Sequence, residues 1–83
     1  MRYTVTWDDE AEDELAAIWN NAADKDAVTA ASNTIEYKLK YAPADQGESR
    51  DGVTRIYVEK PLVVVYEIRE ADRIVNVVSI RHL

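Results

Sequence analysis

The sequence has no cysteine, one histidine, two glycines and two prolines in 83 residues. Without cysteine there is neither a disulfide nor a thiolate metal site, and one histidine leaves no pair for a His-based zinc centre. No metal and no cofactor is therefore expected. So little glycine and proline leaves no linker composition and no low-complexity segment, and no internal repeat is visible. No apolar stretch approaches the length of a membrane span, and MRYTVTWDDEAED lacks the apolar core of a signal peptide. No membrane association and a cytoplasmic location are the expectation. Bases are scarce as well: ten against sixteen acids, for a net charge of −6. Such a chain is a poor general binder of nucleic acid, because neutralising phosphates needs a basic face.

What remains is a globular composition, 47% apolar and 31% charged. Residues 1–83 read as one domain, which at this length buries roughly 60% of its unfolded surface around one small core. The acidity is uneven. Residues 1–48 hold eleven acids and four bases, whereas residues 49–83 hold five acids and six bases. The ordinary reading of such an excess is a solvated helix face.

Tyr3, Val5 and Trp7 alternate with polar neighbours, the period of a strand. Thr6 or Asp8 can then cap a helix whose first turn is acidic, as the helix dipole favours. Ala11, Leu15, Ile18, Trp19 and Ala22 form its apolar stripe, which predicts a helix ending near Ala23. After Asp24-Lys25-Asp26 a second stripe follows: Val28, Ala31, Ile35 and Leu39. So short a break predicts a helix hairpin. Residues 42–52, with Pro43 and both glycines, read as loop. Three strands follow at Val53–Val58, Leu62–Arg69 and Arg73–Arg81, joined by tight turns, hence an antiparallel meander. The expected fold is α+β, in the order β-α-α-β-β-β, with both helices on one sheet face.

Several segments, in this order, carry a resemblance. AEDELAAIWN is similar to the first-helix run Ala-x-x-Asp-Leu-x-x-Ile-Trp of the RelE/ParE superfamily of type II toxin–antitoxin toxins, which includes the plasmid stabilisation toxins. GVTRIYV resembles that family's arginine-bearing second strand, VVVYEI its tyrosine-centred third strand, and VVSIRHL its closing strand. The match spans nearly the whole chain. It implies a helix hairpin on a small antiparallel sheet and neutralisation by a cognate antitoxin whose C-terminal segment wraps the toxin. A dimer or a toxin–antitoxin heterotetramer is a possible assembly. RelE-type members cut messenger RNA on the ribosome, whereas the ParE branch poisons DNA gyrase and lacks the nuclease residues.

RNA cleavage through the 2′-hydroxyl requires a base, an acid and cationic stabilisation of the phosphorane. On the ribonuclease reading the candidates are Arg55, Arg81 and His82, within a wider set that includes Tyr57 and Tyr66. The ordinary alternatives are a strand-end arginine in solvent and a histidine near a frayed terminus. Three departures favour the ParE side. Val63 stands where nuclease members usually have an arginine, three residues before the tyrosine. Leu83 stands where an aromatic often follows the histidine. The basic patch is thin. Valine does not replace an arginine that must hold phosphate. A third possibility is a repurposed protein-binding module.

The third strand is apolar on both faces. Leu62, Val64, Tyr66 and Ile68 alternate with Val63 and Val65, yet helices cover only one face. The second face is therefore expected to bind a protein segment. It would be centred on Val63 and Val65 and bordered by Arg55 and Arg81.

Overall fold

The computed structural model describes residues 2–83. Strand β1 (Thr4–Trp7) leads into helix α1 (Asp9–Asn21) and, after three residues, helix α2 (Lys25–Tyr41). A 3-10 turn (Pro43–Asp45) precedes β2 (Glu48–Asp51), β3 (Thr54–Glu59) and β4 (Leu62–Arg69). A second 3-10 turn (Glu70–Asp72) leads into β5 (Ile74–His82). The five strands form one sheet in the order β1-β5-β4-β3-β2. The chain from β2 to β5 is an antiparallel meander, and β1 joins it parallel to β5, with Val5 beside Val75 and Trp7 beside Val77.

The helices follow from their sequence. Asp24 caps α2, its carboxylate accepting the Ala27 N–H at 3.0 Å. Asp8 sits at the start of α1 but does not cap it; its side chain accepts from Asn76 Nδ2 at 3.0 Å, tying the helix entry to β5. The α2 stripe of Val28, Ala31, Ile35 and Leu39 is buried along its whole length. It lies on β1, β3 and β4, while α1 lies on β5. On the sheet, Tyr57, Leu62, Val64, Tyr66, Val75, Val77 and Ile80 meet the helices to form the core.

Val77 and Ile80 are three residues apart, yet both are buried on the same face. Strict alternation forbids that. A bulge at Val78 allows it: Val65 opposes Ser79 while Tyr66 opposes Val77, leaving Val78 as the extra residue.

Three expectations are corrected. Residues 42–52 are not all loop, because Glu48–Asp51 pairs antiparallel with β3 as a fourth meander strand. Helix α1 ends at Asn21, two residues earlier than expected. Trp19 does not pack against the sheet. It is 42% exposed, with its indole N–H donating to Thr29 Oγ1 at 3.1 Å and Lys25 Nζ 4.8 Å from the ring centre. Ala11, Leu15, Ile18 and Ala22 face the core, and Trp19 stands one residue, or about 100°, round the helix from Ile18.

Gly47 has φ +58°, and a Cβ there would lie 1.8 Å from the Ile56 carbonyl oxygen. Only glycine lets the chain enter β2 so close to β3.

Candidate partner-binding face and the dispersed cationic residues

Paired strands put directly opposed residues on the same face, so the register sorts the candidate residues unambiguously. On the face away from the helices, Ile56 opposes Val65 and Val58 opposes Val63. Val63 in turn opposes Arg81, and Val65 opposes Ser79. These four apolar side chains make a contiguous patch across β3 and β4. Val58 is 49% exposed and the other three are half-buried. The patch is larger than Val63 and Val65 alone, because Ile56 and Val58 join it from the neighbouring strand. The signal was present in the alternation of Ile56 and Val58 with Arg55 and Tyr57.

Arg81 borders this patch and is exposed. Its guanidinium reaches round the edge of β5 to Glu14 of α1 at 3.5 Å. The same Glu14 carboxylate accepts the Ile80 N–H at 3.1 Å. The reason is topological. β1 ends at Trp7, opposite Val77, so β5 beyond that point lacks a strand partner on that side. Glu14 supplies the acceptor a strand would have provided.

Arg55 does not border the patch. It opposes Tyr66 and so lies on the helix side of the sheet. Its Nε donates to the Gln46 carbonyl at 2.9 Å and its Nη2 to the Gly47 carbonyl at 3.0 Å. The Tyr66 hydroxyl lies 2.7 Å from the Pro43 carbonyl and 3.1 Å from the Gln46 carbonyl. Together the two side chains fasten the segment between α2 and β2 to the sheet. Burial raises the Tyr66 pKa, with Arg55 opposing it, so the phenol stays protonated and able to donate.

His82 opposes Leu62, again on the helix side, and so points away from Arg81. It is exposed beside Ala17, Ile18 and Ala22 of the α1 end, with Nδ1 2.7 Å from the Leu83 carbonyl oxygen. Measured on β4, Arg55 and His82 are four residues apart along the strand and two strands apart across the sheet. That amounts to roughly 16 Å between their backbones. Arg55, Arg81 and His82 thus occupy separate places on two faces. They do not converge on one point where a phosphate would sit.

A polar cluster that the sequence reading did not single out joins α2 to β3. The Tyr57 hydroxyl and Lys38 Nζ both donate to Glu59 Oε1, the latter at 3.2 Å, and Lys38 lies 5.5 Å from the Tyr57 ring centre. The Tyr57 hydroxyl, and then Lys38, hold the Glu59 carboxyl below the usual carboxylate range against the opposing effect of burial. No sequence signal marks this cluster, since Lys38 and Glu59 are 21 residues apart. Among the described residues no group of three His, Cys, Asp or Glu side chains is placed to hold a metal ion, and no helix is long and apolar enough to cross a membrane.

Residues 5–82 match the family described as ParE toxin of type II toxin-antitoxin system, parDE. No curated protein sequence matches the chain significantly. Among solved structures, the toxin–antitoxin complex RelBE2 from Mycobacterium tuberculosis contains a similar chain, with a TM-score of 0.81 at 17% identity, covering 100% of both chains. The chromosomal ParDE TA system from P. aeruginosa gives 0.75 at 14%, covering 98% of this chain and 96% of the other. The archaeal RelE-RelB complex from Pyrococcus horikoshii OT3 gives 0.71 at 14%, covering 99% and 96%. At such identities the likeness is one of fold.

Proposed function

This chain belongs to the family of ParE toxins of type II toxin–antitoxin systems, and we propose that it acts as the toxin of such a module by engaging a protein target, without cutting RNA. The observation that carries the second half is the dispersal of Arg55, Arg81 and His82. In-line attack on a phosphodiester needs its acid, base and cation within hydrogen-bond reach of one reacting group. Arg55 is instead committed to two backbone carbonyls, and Val63 supplies no charge. The family resemblance directs the search for a target to DNA gyrase.

We further propose that a cognate antitoxin covers the patch of Ile56, Val58, Val63 and Val65. The three similar structures are of toxin–antitoxin assemblies, which supports a partner of that kind. The patch leaves apolar area in water, which a partner would recover at about 25 cal/mol per Å2. Acids on the antitoxin would meet Arg81, favouring register and encounter rate more than affinity.

Expression without a partner tests the first proposal, with growth, plasmid supercoiling and mRNA integrity followed together. Arrest with altered supercoiling and intact mRNA is the expected result. Cleavage of ribosome-bound mRNA, lost in both His82→Ala and Arg81→Ala, would refute it. The partner face is tested by Val63→Asp, which should keep the circular dichroism melt while losing co-purification with the product of an adjacent antitoxin reading frame. Unchanged co-purification would place the antitoxin elsewhere.

A further inference from the structure

The sheet has two edges, β1 and β2, and they are built differently. β2 reads Glu-Ser-Arg-Asp and shifts register against β3, so charge and a bulge blunt that edge. β1 reads Thr-Val-Thr-Trp, with no charge and no proline, and pairs with β5 in unbroken register. The Thr4 and Asp8 N–H groups donate to the Arg73 and Val77 carbonyls at 2.8 and 2.9 Å. Strand alternation therefore turns the N–H and C=O groups of Tyr3, Val5 and Trp7 outward, away from β5. The Tyr3 N–H is taken by the Lys40 carbonyl of α2 at 2.7 Å. The other outward groups are a template for one more strand.

Space for that strand is present. A groove of about 540 Å3 lies between this edge and α2, lined by Thr4, Val5, Asn33, Glu36, Tyr37 and Tyr41 among others. Tyr37 and Tyr41 are 66% and 48% exposed, with their ring centres 4.9 Å apart, and neither belongs to the core.

The sequence of the edge says which strand fits. Residues 2–8 read Arg-Tyr-Thr-Val-Thr-Trp-Asp. Read backwards, the order of chemical types is the same, except that the two end charges exchange sign. Antiparallel pairing with a second copy about Val5 sets the two Val5 side chains together. It opposes Thr4 to Thr6, Tyr3 to Trp7 and Arg2 to Asp8, each twice. Threonine pairs, aromatic pairs and opposite charges are the combinations that stabilise directly opposed positions. Within residues 2–8, a slip of two residues in either direction breaks both the aromatic and the charge match. Arg2 and Asp8 are exposed, and only one Asp8 oxygen is engaged, by Asn76. The helices agree. Lys40 meets Tyr3 and Glu36 accepts from the Trp7 indole, so α2 runs antiparallel to β1. The symmetry that opposes Tyr3 to Trp7 also brings Lys40 of one copy toward Glu36 of the other.

We propose that β1 is a homodimer interface, in which two copies pair antiparallel about a two-fold axis at Val5. The axis is perpendicular to the sheet and joins the two sheets into one. The two Val5 residues exchange a pair of backbone hydrogen bonds, and each Trp7 N–H donates to the Tyr3 carbonyl of the other copy. Each Tyr3 N–H stays with Lys40. Tyr37 and Tyr41 are covered by α2 of the second copy. So short a strand pair gives a small interface and a concentration-dependent dimer. The proposal does not rest on the antitoxin reading, whose patch lies on β3 and β4.

Sedimentation of the full chain from micromolar to millimolar concentration should show a monomer–dimer equilibrium. Over that range, amide exchange at Val5 and Trp7 should slow, while Thr4, already bonded to Arg73, stays unchanged. Arg2→Asp and Asp8→Arg each set like charges opposite one another twice, and each should raise the dimer dissociation constant roughly tenfold. An equimolar mixture of the two variants sets opposite charges at both ends and should restore association. A role of either residue in folding alone would not produce that rescue. Val63→Asp should dimerise as the parent does. A monomer throughout the range, a dimer that leaves Val5 and Trp7 exchange unchanged, or a mixture no tighter than either variant alone would overturn the proposal. Asp8 also holds Asn76, so circular dichroism melts accompany the variants. If Asp8→Arg does not fold, Arg2→Asp and the exchange data decide: full association by Arg2→Asp would overturn the pairing.

Discussion

Removing one buried oxygen, by Tyr66→Phe, tests whether Arg55 is a structural residue. The Tyr66 side chain is fully buried, and its hydroxyl has one proton to give. The shorter distance, 2.7 Å, is to the Pro43 carbonyl, and the longer, 3.1 Å, to Gln46. Phenylalanine fits the same space but leaves the Pro43 carbonyl without that donor. The Gln46 carbonyl is protected, because Arg55 Nε still donates to it at 2.9 Å. The loss is therefore about one hydrogen bond plus one desolvated acceptor, or about 1–2 kcal/mol. In a domain of this size that corresponds to a fall in Tm of roughly 4–16 °C. Arg55→Ala alone removes two bonds to carbonyls near the surface, where water replaces part of the loss, and should cost about 1–2 kcal/mol. In the Arg55→Ala variant the Tyr66 hydroxyl, 3.1 Å away, can turn its proton to the Gln46 carbonyl; in the double variant that carbonyl has neither donor, so the two changes should cost about 0.5 kcal/mol or more beyond their sum. Urea denaturation of the four proteins measures the cycle. Strict additivity, or a Tyr66→Phe protein as stable as the parent, would refute the picture of a shared carbonyl and reopen a catalytic role for Arg55.

Ile35→Ala, at a fully buried position, should cost about 2–5 kcal/mol, and Leu15→Ala less, because Leu15 is only half-buried; thermal melts that reversed this order would contradict the assigned core. Trp19→Ala should leave the melt almost unchanged, since the indole lies outside the core, and a large fall would mean that it supports the helix pair. Glu59 makes stability depend on acid. Its folded pKa is lowered, so its contribution is complete above its ordinary value of 4.5 and is lost as pH falls through the lower folded value. Glu59→Gln should therefore show a flatter acid limb in pH-dependent denaturation, and an unchanged limb would exclude the Tyr57–Glu59–Lys38 cluster as its source.

The legibility of this fold in its sequence varied with how far each signal reaches. The α2 stripe was legible in full because a 3.6-residue period is local, and all four of its residues are buried. Strand β2 was not, since Glu-Ser-Arg-Asp has no apolar alternation and is a strand only because β3 offers an edge to it. Trp19 was counted in the apolar stripe because it adjoins Ile18, whereas its angle round the helix puts it beside the face that meets the sheet. The error over Arg55 was one of parity. It shares a face with Tyr57, two residues on, and Tyr57 is buried beneath α2. The expectation that Arg55 borders Val63 and Val65 required the opposite face, and only the pairing of β3 with β4 decides between them. Arg81 and His82 were candidates for one site on the ribonuclease reading, but they are neighbours in a strand, and adjacency there puts them on opposite faces.

The parallel pairing of β1 with β5 also sets an order of events during synthesis. Residues 4–7 find their strand partners only at residues 74–77, seventy residues later. At about 5–20 residues per second, β1 waits roughly 3–14 seconds for β5 to be made. Meanwhile the meander can close turn by turn through contacts of short sequence separation, which form fastest. The sheet face with Val58, Val63 and Val65 is built within that meander, whereas α1 cannot settle on β5 before β5 exists. Val65 precedes Val77 by twelve residues, so a partner that recognises the β3–β4 patch has its target roughly 0.6–2.4 seconds before the N-terminal strand can complete the sheet.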